Sequence, residues 1–554
     1  MSKKKTKKQN PSIIIQKPVK TPDINLYQFL LRRPKYNSCD ILCRNRMQEL
    51  SFQKMQADSK KYANTLAALG IQKGDIVPIC SEPSIEAVIL FFAINRMGAV
   101  STFLNNTANS AEINYYIHLF SSKVLIVSQS TLERLKEDEV ISEIMAEKLI
   151  AFTSEISTVK KQLGFPMLSE LINEYGADNI PLDEEGKSAI AHISYTSGST
   201  GQPKAILLTN ENIMAEIISL RKATFMQLGP RENSLQVVPF NYPYGFIIST
   251  LLPIYCGKTA ALSPDLALNN ISHYLSLYHP CYINAIPSFY KALMHDPVIQ
   301  KMDLSFIRYP VTGGDTLDRK TEKAINAFLK EHGSKGKITN GCGNGEGCGS
   351  LLNPASVLRA YVPGSCGRPF PGLSVKLIDD ETGLPVPLGD VGRFCFSGTN
   401  LMKGYYQNNS VEDSMFMTDE DGRRWFYTDT FMHMDEHQWM FMDGRERRFF
   451  ITYDEHGSPY KVYCDYVQEI ILKDSDMISD CAIVRREDAA RSYVPIAYIC
   501  LTDQAKKDQD VLQKIKDYCN QKLRSCEIPA DYYFLEKLPL TIAGKIDYRT
   551  LEMQ

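Results

Sequence analysis

The stretch "ISYTSGSTGQPKAILLTNENI", residues 193–213, sets apolar runs on either side of a loop of glycine, serine and threonine that closes on Lys204. Such a loop gathers many backbone N–H groups and small hydroxyls in one place. No bulky side chain holds an oxyanion at a distance, so the composition suits a phosphate chain. A Walker A loop is excluded, because that motif needs an adjacent Gly-Lys pair followed by Ser or Thr. Here Gly198, Ser199, Thr200 and Gly201 are followed by Gln202, Pro203 and Lys204. On the N-terminal side, "AIAHISYTS" reads as a buried strand that delivers the chain into the loop.

Upstream of the loop, helical and extended patterns alternate. Phe52, Met55, Tyr62, Leu66 and Leu69 recur near helical spacing and Gly70 offers a stop, after which "IVPICS" reads as a strand. "AVILFFAINRMGAV" reads as a helix ending near Gly98, and "KVLIVS" from Lys123 as another buried strand. This alternation predicts a layered α/β domain. Past Asn340 the texture changes. "LSVKLIDDETGLPVPLGDVGRFCFSG" alternates apolar and polar residues around a turn-rich segment at 379–383, which predicts a small antiparallel sheet or barrel. Near the C-terminus, strands "CAIVRR" and "VPIAYICL" precede a helix over 511–523 whose apolar face is Val511, Leu512, Ile515, Tyr518, Cys519 and Leu523. This reads as a separate small α+β unit, with its boundary near Arg445 to Arg447.

At 554 residues the chain exceeds one ordinary core, and its net charge of -2 gives no global attraction to nucleic acid or acidic lipid. The 14 cysteines include no CxxC pair, which points to reduced thiols and a cytoplasmic setting. The longest apolar runs are too short for a transmembrane segment. The lysine-rich start, "MSKKKTKKQN", reads as solvated. The expected division is a basic disordered tail over 1–22, an N-terminal domain over 23–446 and a C-terminal domain over 447–554.

Over almost its whole length the opening loop resembles the phosphate-binding signature Y-T-S-G-S-T-G-x-P-K of the adenylate-forming superfamily, which includes acyl-CoA synthetases, adenylation domains of peptide synthetases and luciferases. Other blocks follow in the family's order: "VTGGDTL" from Val311, "NGCGNGEGCGS" from Asn340, "GSCGRPFPG" from Gly364, "VGRFCFSG", "LMKGYYQN" from Leu401, "WFYTDTF" with "DGRERRF", and "LPLTIAGKIDYRTL" from Leu538. The resemblance implies a large, multi-subdomain N-terminal AMP-binding α/β domain with a small β-barrel-like part, followed by a small mobile C-terminal α+β domain. It also implies ATP-dependent activation of a carboxylic acid as an acyl-adenylate, then transfer to a thiol: coenzyme A, or the phosphopantetheine of an acyl carrier protein.

That chemistry brings two anions together. Unit charges about 4 Å apart repel by roughly 4 kcal/mol at an effective dielectric near 20, a penalty of about a thousandfold in rate. Cations are needed. By resemblance, Thr196, Ser197, Gly198, Ser199, Thr200, Gly201 and Lys204 surround the departing phosphates, Glu346 holds magnesium, and Lys545 bridges the carboxylate and α-phosphate. Gly313, Gly314, Asp315, Asn340, Gly341, Cys342 and Gly343 fall on the adenine side, and Arg445 with Asp429 or Thr430 on the ribose. Tyr242, Gly245, Gly313 and Gly347 fall beside the acid, and Arg447 is the hinge between two orientations of the C-terminal domain.

This sequence departs from the family at several of these blocks. Where many relatives carry T-G-D, an ungapped reading gives Thr428, Asp429 and Thr430, so either Asp429 reaches the ribose after a local shift or it is a turn residue. Gly345 replaces the threonine before the glutamate, and Cys342 replaces an aromatic that stacks on adenine. Ser458, Pro459 and Tyr460 lack the glycine that relatives place beside the pantetheine tunnel, and "DEHG" is inserted before them. Asn241, near the position where amino-acid activators keep an aspartate, pairs an α-ammonium poorly. The small residues from 341 to 349 leave one wall bare, which suits an elongated fatty or aryl acid, or else serve backbone geometry. The rival of another class is a nucleotide-binding scaffold with impaired catalysis.

Overall fold

A computed structural model describes residues 11–32, 40–137, 147–153, 165–176, 186–196, 204–223, 232–263, 270–314, 317–353, 361–407, 415–445, 448–453, 459–473, 477–540 and 546–553. The expected alternation forms two seven-stranded sheets. In the first, Ile190–Thr196, Val100–Leu104, Ile76–Cys80, Leu125–Ser128 and Leu149–Phe152 run parallel. Lys204–Thr209 then turns back antiparallel beside Ile190–Thr196, and Gly404–Tyr405 pairs onto its outer edge. The second sheet is ordered Thr339–Asn340, Tyr309–Thr312, Tyr282–Ala285, Asn233–Gln236, Thr259–Leu262, Ile41–Asn45, Gln48–Ser51, parallel except for its last hairpin.

One helix serves both sheets. Ile85–Arg96 is capped by the Ser84 side chain on the Ala87 N–H, and ten of its residues in succession apart from Glu86 are apolar or amide and buried. A helix that is apolar all round belongs in a core rather than on a surface. Its Phe91 packs edge-on to Phe246, 4.7 Å between ring centroids, and Phe246 meets Phe103 of the first sheet at 4.6 Å. The same apolar cluster takes in Leu42, Cys43, Ala260 and Leu262 of the second sheet.

The alternating segment past 340 is an antiparallel sheet, as its pattern predicts. Ser374–Ile378 pairs with Gly392–Ser397, which pairs with Arg424–Met434, flanked by Phe416–Thr418 and Met440–Arg445. The expected tail is corrected here. Residues 1–10 lie outside the described residues, but 11–22 pack on this barrel: Ile13 and Ile14 pair with Lys376 and Val375, Gln16 accepts from the Gly372 N–H at 2.9 Å, and the Thr21 hydroxyl donates to Glu211 at 2.9 Å. The reason is local, since the run "SIIIQ" supplies a β-branched edge strand although the lysines around it dominate the composition.

The C-terminal part carries its own core. Ile478–Asp488 and Ser492–Leu501 form a long hairpin, Asp531–Phe534 adds parallel to it, and the helices Cys464–Lys473 and Val511–Lys522 cover one face. Val467, Ile471, Ile483, Ile499, Val511, Ile515 and Cys519 are buried together there. Among the described residues no helix is long and apolar enough to cross a membrane.

Candidate functional site

Lys204 opens the strand Lys204–Thr209 directly opposite Thr196, so residues 197–203 connect two antiparallel neighbours. On the other side of that strand Tyr405 pairs with Ile206. This register lays the Tyr405 ring beside the lysine, with Lys204 Nζ 5.3 Å from the ring centroid. The Tyr405 hydroxyl donates to Glu346 Oε1 at 2.7 Å, and both residues are buried. The backbone holds Glu346 as well, because the Met402 N–H donates to its carbonyl at 2.8 Å.

The Glu346 carboxyl lies above the usual carboxylate range. Burial is the main cause; the Tyr405 hydroxyl and a backbone N–H pull it down, Asp429 pushes it up and Lys204 pulls it down. The buried Glu346 carboxylate therefore lies within electrostatic reach of a second carboxylate and one ammonium, a set short of positive charge. No group of three His, Cys, Asp or Glu able to hold a metal exists among the described residues. This donor set fits magnesium, which is typically held by one or two carboxylates together with substrate phosphates and water.

Asp429 is brought toward this space by an irregularity. Cys395 pairs with Tyr427 and Arg393 with Phe431, so Thr428, Asp429 and Thr430 stand opposite Phe394 alone in a β-bulge. The Thr428 hydroxyl donates to the Phe394 carbonyl at 2.7 Å and locks the bulge. Thr430 is buried and pairs with Arg445, whereas Asp429 stays partly exposed.

At the carboxyl ends of Tyr309–Thr312 and Thr339–Asn340, Gly313 and Gly341 come together, with the Gly341 N–H on the Thr312 carbonyl at 2.8 Å. A Cβ on Gly313 would lie 3.0 Å from the Gly341 oxygen. Asn340 beside them is buried, and its Oδ1 has no hydrogen-bond partner among the described residues. Loops at the carboxyl ends of parallel strands are the usual place for a ligand in open α/β sheets.

The sequence profile of AMP-binding enzymes matches residues 32–406, and that of their C-terminal domain matches residues 467–545. The chain belongs to the AMP-binding enzyme family. The long-chain-fatty-acid–CoA ligase of Bacillus subtilis (strain 168) is 24% identical over 524 residues, covering 91% of this chain and 90% of that protein. The fold is shared with the anthranilate CoA ligase AuaEII in complex with anthranoyl-AMP, at TM-score 0.80 and 22% identity over 96% of this chain and 97% of that one. ATP-bound MatB from Rhodopseudomonas palustris gives TM-score 0.81 at 21% identity, over 96% of this chain and 98% of that one. As a member of this family the chain is an AMP-forming acid:thiol ligase.

Several anticipated site residues of this AMP-binding enzyme fall outside the described residues: Ser197, Gly198, Ser199, Thr200, Gly201, Asp315, Arg447 and Lys545, together with the side chains of Thr196 and Arg445. Of the rest, Lys204, Glu346 and Asp429 come together, and Gly313, Gly314, Asn340, Gly341, Cys342 and Gly343 share the two loops at the strand ends. Cys342 stands against Cys366, whose thiol is raised chiefly by a hydrogen bond with Cys342 and by burial.

The bare-wall reading of 341–349 gives way to its alternative. A Cβ at Gly343 would meet the Gly349 oxygen at 2.1 Å, one at Gly347 would meet Leu351 Cδ2 at 2.3 Å, and Gly349 itself has φ +111°. These glycines let the loop fold onto itself. Gly245 is fixed in the same way, since a Cβ there would lie 2.1 Å from the Pro239 oxygen. It is the second residue of an eight-residue π-helix, Tyr244–Leu251, in which Ser249 and Thr250 donate back to the Tyr244 and Gly245 carbonyls at 2.9 and 3.1 Å. Tyr242, just before it, is partly buried, and the Asn241 carbonyl accepts from Ser194 Oγ at 3.0 Å, tying this segment to the strand that enters the phosphate loop. Tyr405 is the residue that sequence reasoning missed. The block "LMKGYYQN" was its signal, but only the pairing of Gly404–Tyr405 onto Lys204–Thr209 shows what it touches.

Proposed function

We propose that the chain activates a fatty or aryl acid with ATP as its acyl-adenylate and passes the acyl group to coenzyme A. The observation that carries this reading is the gathering of Lys204, Tyr405 and Asp429 around the buried Glu346 carboxylate, where the strand Lys204–Thr209 begins. Lys204 and the loop residues Thr196 to Gly201 hold the β- and γ-phosphates and stabilise the charge that grows on them as pyrophosphate departs. Glu346, oriented by Tyr405, holds the magnesium ion. Bound there, magnesium supplies the positive charge that the two carboxylates and the polyphosphate lack.

On the nucleoside side, Asp429 reaches the ribose from its bulge, with Arg445 across the strand pair, while buried Thr430 keeps the bulge in place. The unpaired Asn340 Oδ1 is an acceptor for the amino group of adenine, and Gly313, Gly314 and Asp315 line the base. Tyr242 stands beside the acid. Lys545, brought in by the C-terminal domain turning about Arg447, bridges the acid's oxygen and the α-phosphate. A compact ammonium on a flexible stem is suited to that task because it withdraws with its domain once the adenylate has formed.

The test is exchange of labelled pyrophosphate into ATP across a panel of carboxylic acids. We expect acid-dependent exchange in the wild type and a loss of at least about a hundredfold in Lys545→Ala. Absence of exchange with every acid, in a protein that still binds ATP, would favour a scaffold over a ligase. Adding coenzyme A or a holo-carrier protein to an active acid then names the acceptor.

A further inference from the structure

The helix Asn210–Ala223 follows directly on the strand that begins with Lys204, and two of its residues four apart share one face: Asn212 and Glu216. Both are buried, and both grip the same short segment, residues 399–401. Asn212 Nδ2 donates to the Thr399 and Leu401 carbonyls at 2.8 and 2.9 Å, and Glu216 Oε2 accepts from Asn400 Nδ2 at 2.9 Å. That segment in turn grips the loop carrying Glu346. Asn400 Nδ2 also donates to the Gly347 carbonyl at 3.2 Å, and the Met402 N–H donates to the Glu346 carbonyl.

We propose that Asn212, Glu216 and Asn400 are positioning residues that fix the Glu346 carboxylate relative to Lys204 through a strap over residues 399–402. The inference rests on the reading of Glu346 as the magnesium ligand. Without the strap, two successive peptide carbonyls of the Glu346 loop lose their donors, and the carboxylate loses its bearing on the phosphate-binding strand. Glu216 is a costly residue to bury for packing alone. Its carboxyl is fully enclosed and raised well above the usual range by burial, with the Asn400 amide opposing, and an apolar side chain would avoid that cost. Accepting the hydrogen bond from Asn400 is the role the geometry gives it. Partners of this kind, one step behind a metal ligand, alter metal affinity by about 10–100-fold when removed.

The test measures ATP affinity by calorimetry with and without magnesium in the full-length protein, alongside pyrophosphate exchange. Asn400→Ala is expected to cut the magnesium-dependent gain in ATP affinity by about tenfold, leaving magnesium-free affinity unchanged, while Glu216→Gln, which keeps an acceptor for Asn400, stays within about threefold of wild type. If Asn400→Ala does not fold, Asn212→Ala decides, since it removes only the helix side of the strap. A folded variant of either kind with the wild-type magnesium response would overturn the inference, as would a wild type whose ATP affinity ignores magnesium. A wild type that binds magnesium-ATP but shows no pyrophosphate exchange with any acid of the panel would instead sink the proposed function and leave this inference standing on the binding data.

Discussion

Tyr405 does two things with one side chain. Its ring face lies beside the Lys204 ammonium and its hydroxyl holds a Glu346 oxygen, so it spaces a cation from an anion that would otherwise pair directly. A direct ion pair would consume both charges that the phosphates and metal need. Tyr405→Phe keeps the ring and deletes a hydrogen bond to a charged group worth about 1.5–3 kcal/mol. We expect the magnesium concentration for half-maximal exchange to rise roughly tenfold, with a modest fall in thermal stability; an unchanged magnesium requirement would count against the arrangement. At this scale Lys204 and Glu346 could be singled out in the sequence by residue type, and the structure brings both against Tyr405. The sequence was not legible at Tyr405 or Asn400, because tyrosines and asparagines are ordinary in such segments and only pairing across the edge strand gives these two a task.

Among the elements, the helix Ile85–Arg96 holds an anomaly in its first turn. Glu86 lies largely buried, its Oε2 has no partner among the described residues, and its carboxyl is pushed up to about 7. Burial is the main cause; backbone N–H groups and Lys54 oppose it, and Glu82 and Asp58 add to it. A carboxyl raised on folding contributes stability that is fully present below its unfolded value and is lost as pH rises through the folded one, here between about 4.5 and 7. Glu86→Gln removes that loss. Melting curves should show the variant more stable than wild type by about 2–3 kcal/mol at pH 8 and closer to it at pH 5; an equal difference at both values would refute the assignment.

Strands and amphipathic helices were foreseen because their apolar periods differ. The π-helix at Tyr244–Leu251 was not, since a run apolar at nearly every position carries no period to read. The bulge at Asp429 escaped for a related reason: one strand's sequence does not record how many residues its partner places opposite.

Over the whole molecule, the division into a large α/β part with an antiparallel appendage and a small α+β part follows from changes of pattern along the chain. The N-terminal segment was misjudged because its lysines outweighed a short β-branched run. Beyond pairing with Ser374–Ile378, this segment lends the Val19 carbonyl to the Thr399 hydroxyl at 3.3 Å and reaches Glu211 through Thr21. It thus braces the barrel against the helix that carries Asn212 and Glu216. Deleting residues 1–17 bares the edge of Ser374–Ile378, and we expect the melting temperature to fall by roughly 2–4 °C and light scattering on heating to rise. A truncated protein that melts and scatters like the full chain would show the segment to be passive.

The Ile85–Arg96 rod also bears on how such a protein can be cut and rejoined over generations. Since this rod has no polar side to show to water, either sheet transplanted without its partner would carry a greasy surface that nothing covers. The strands of the two sheets also interleave along the chain, so we expect the pair to be inherited as one block. The C-terminal unit, wrapped around an interior of its own, would expose no such surface if it were exchanged between relatives.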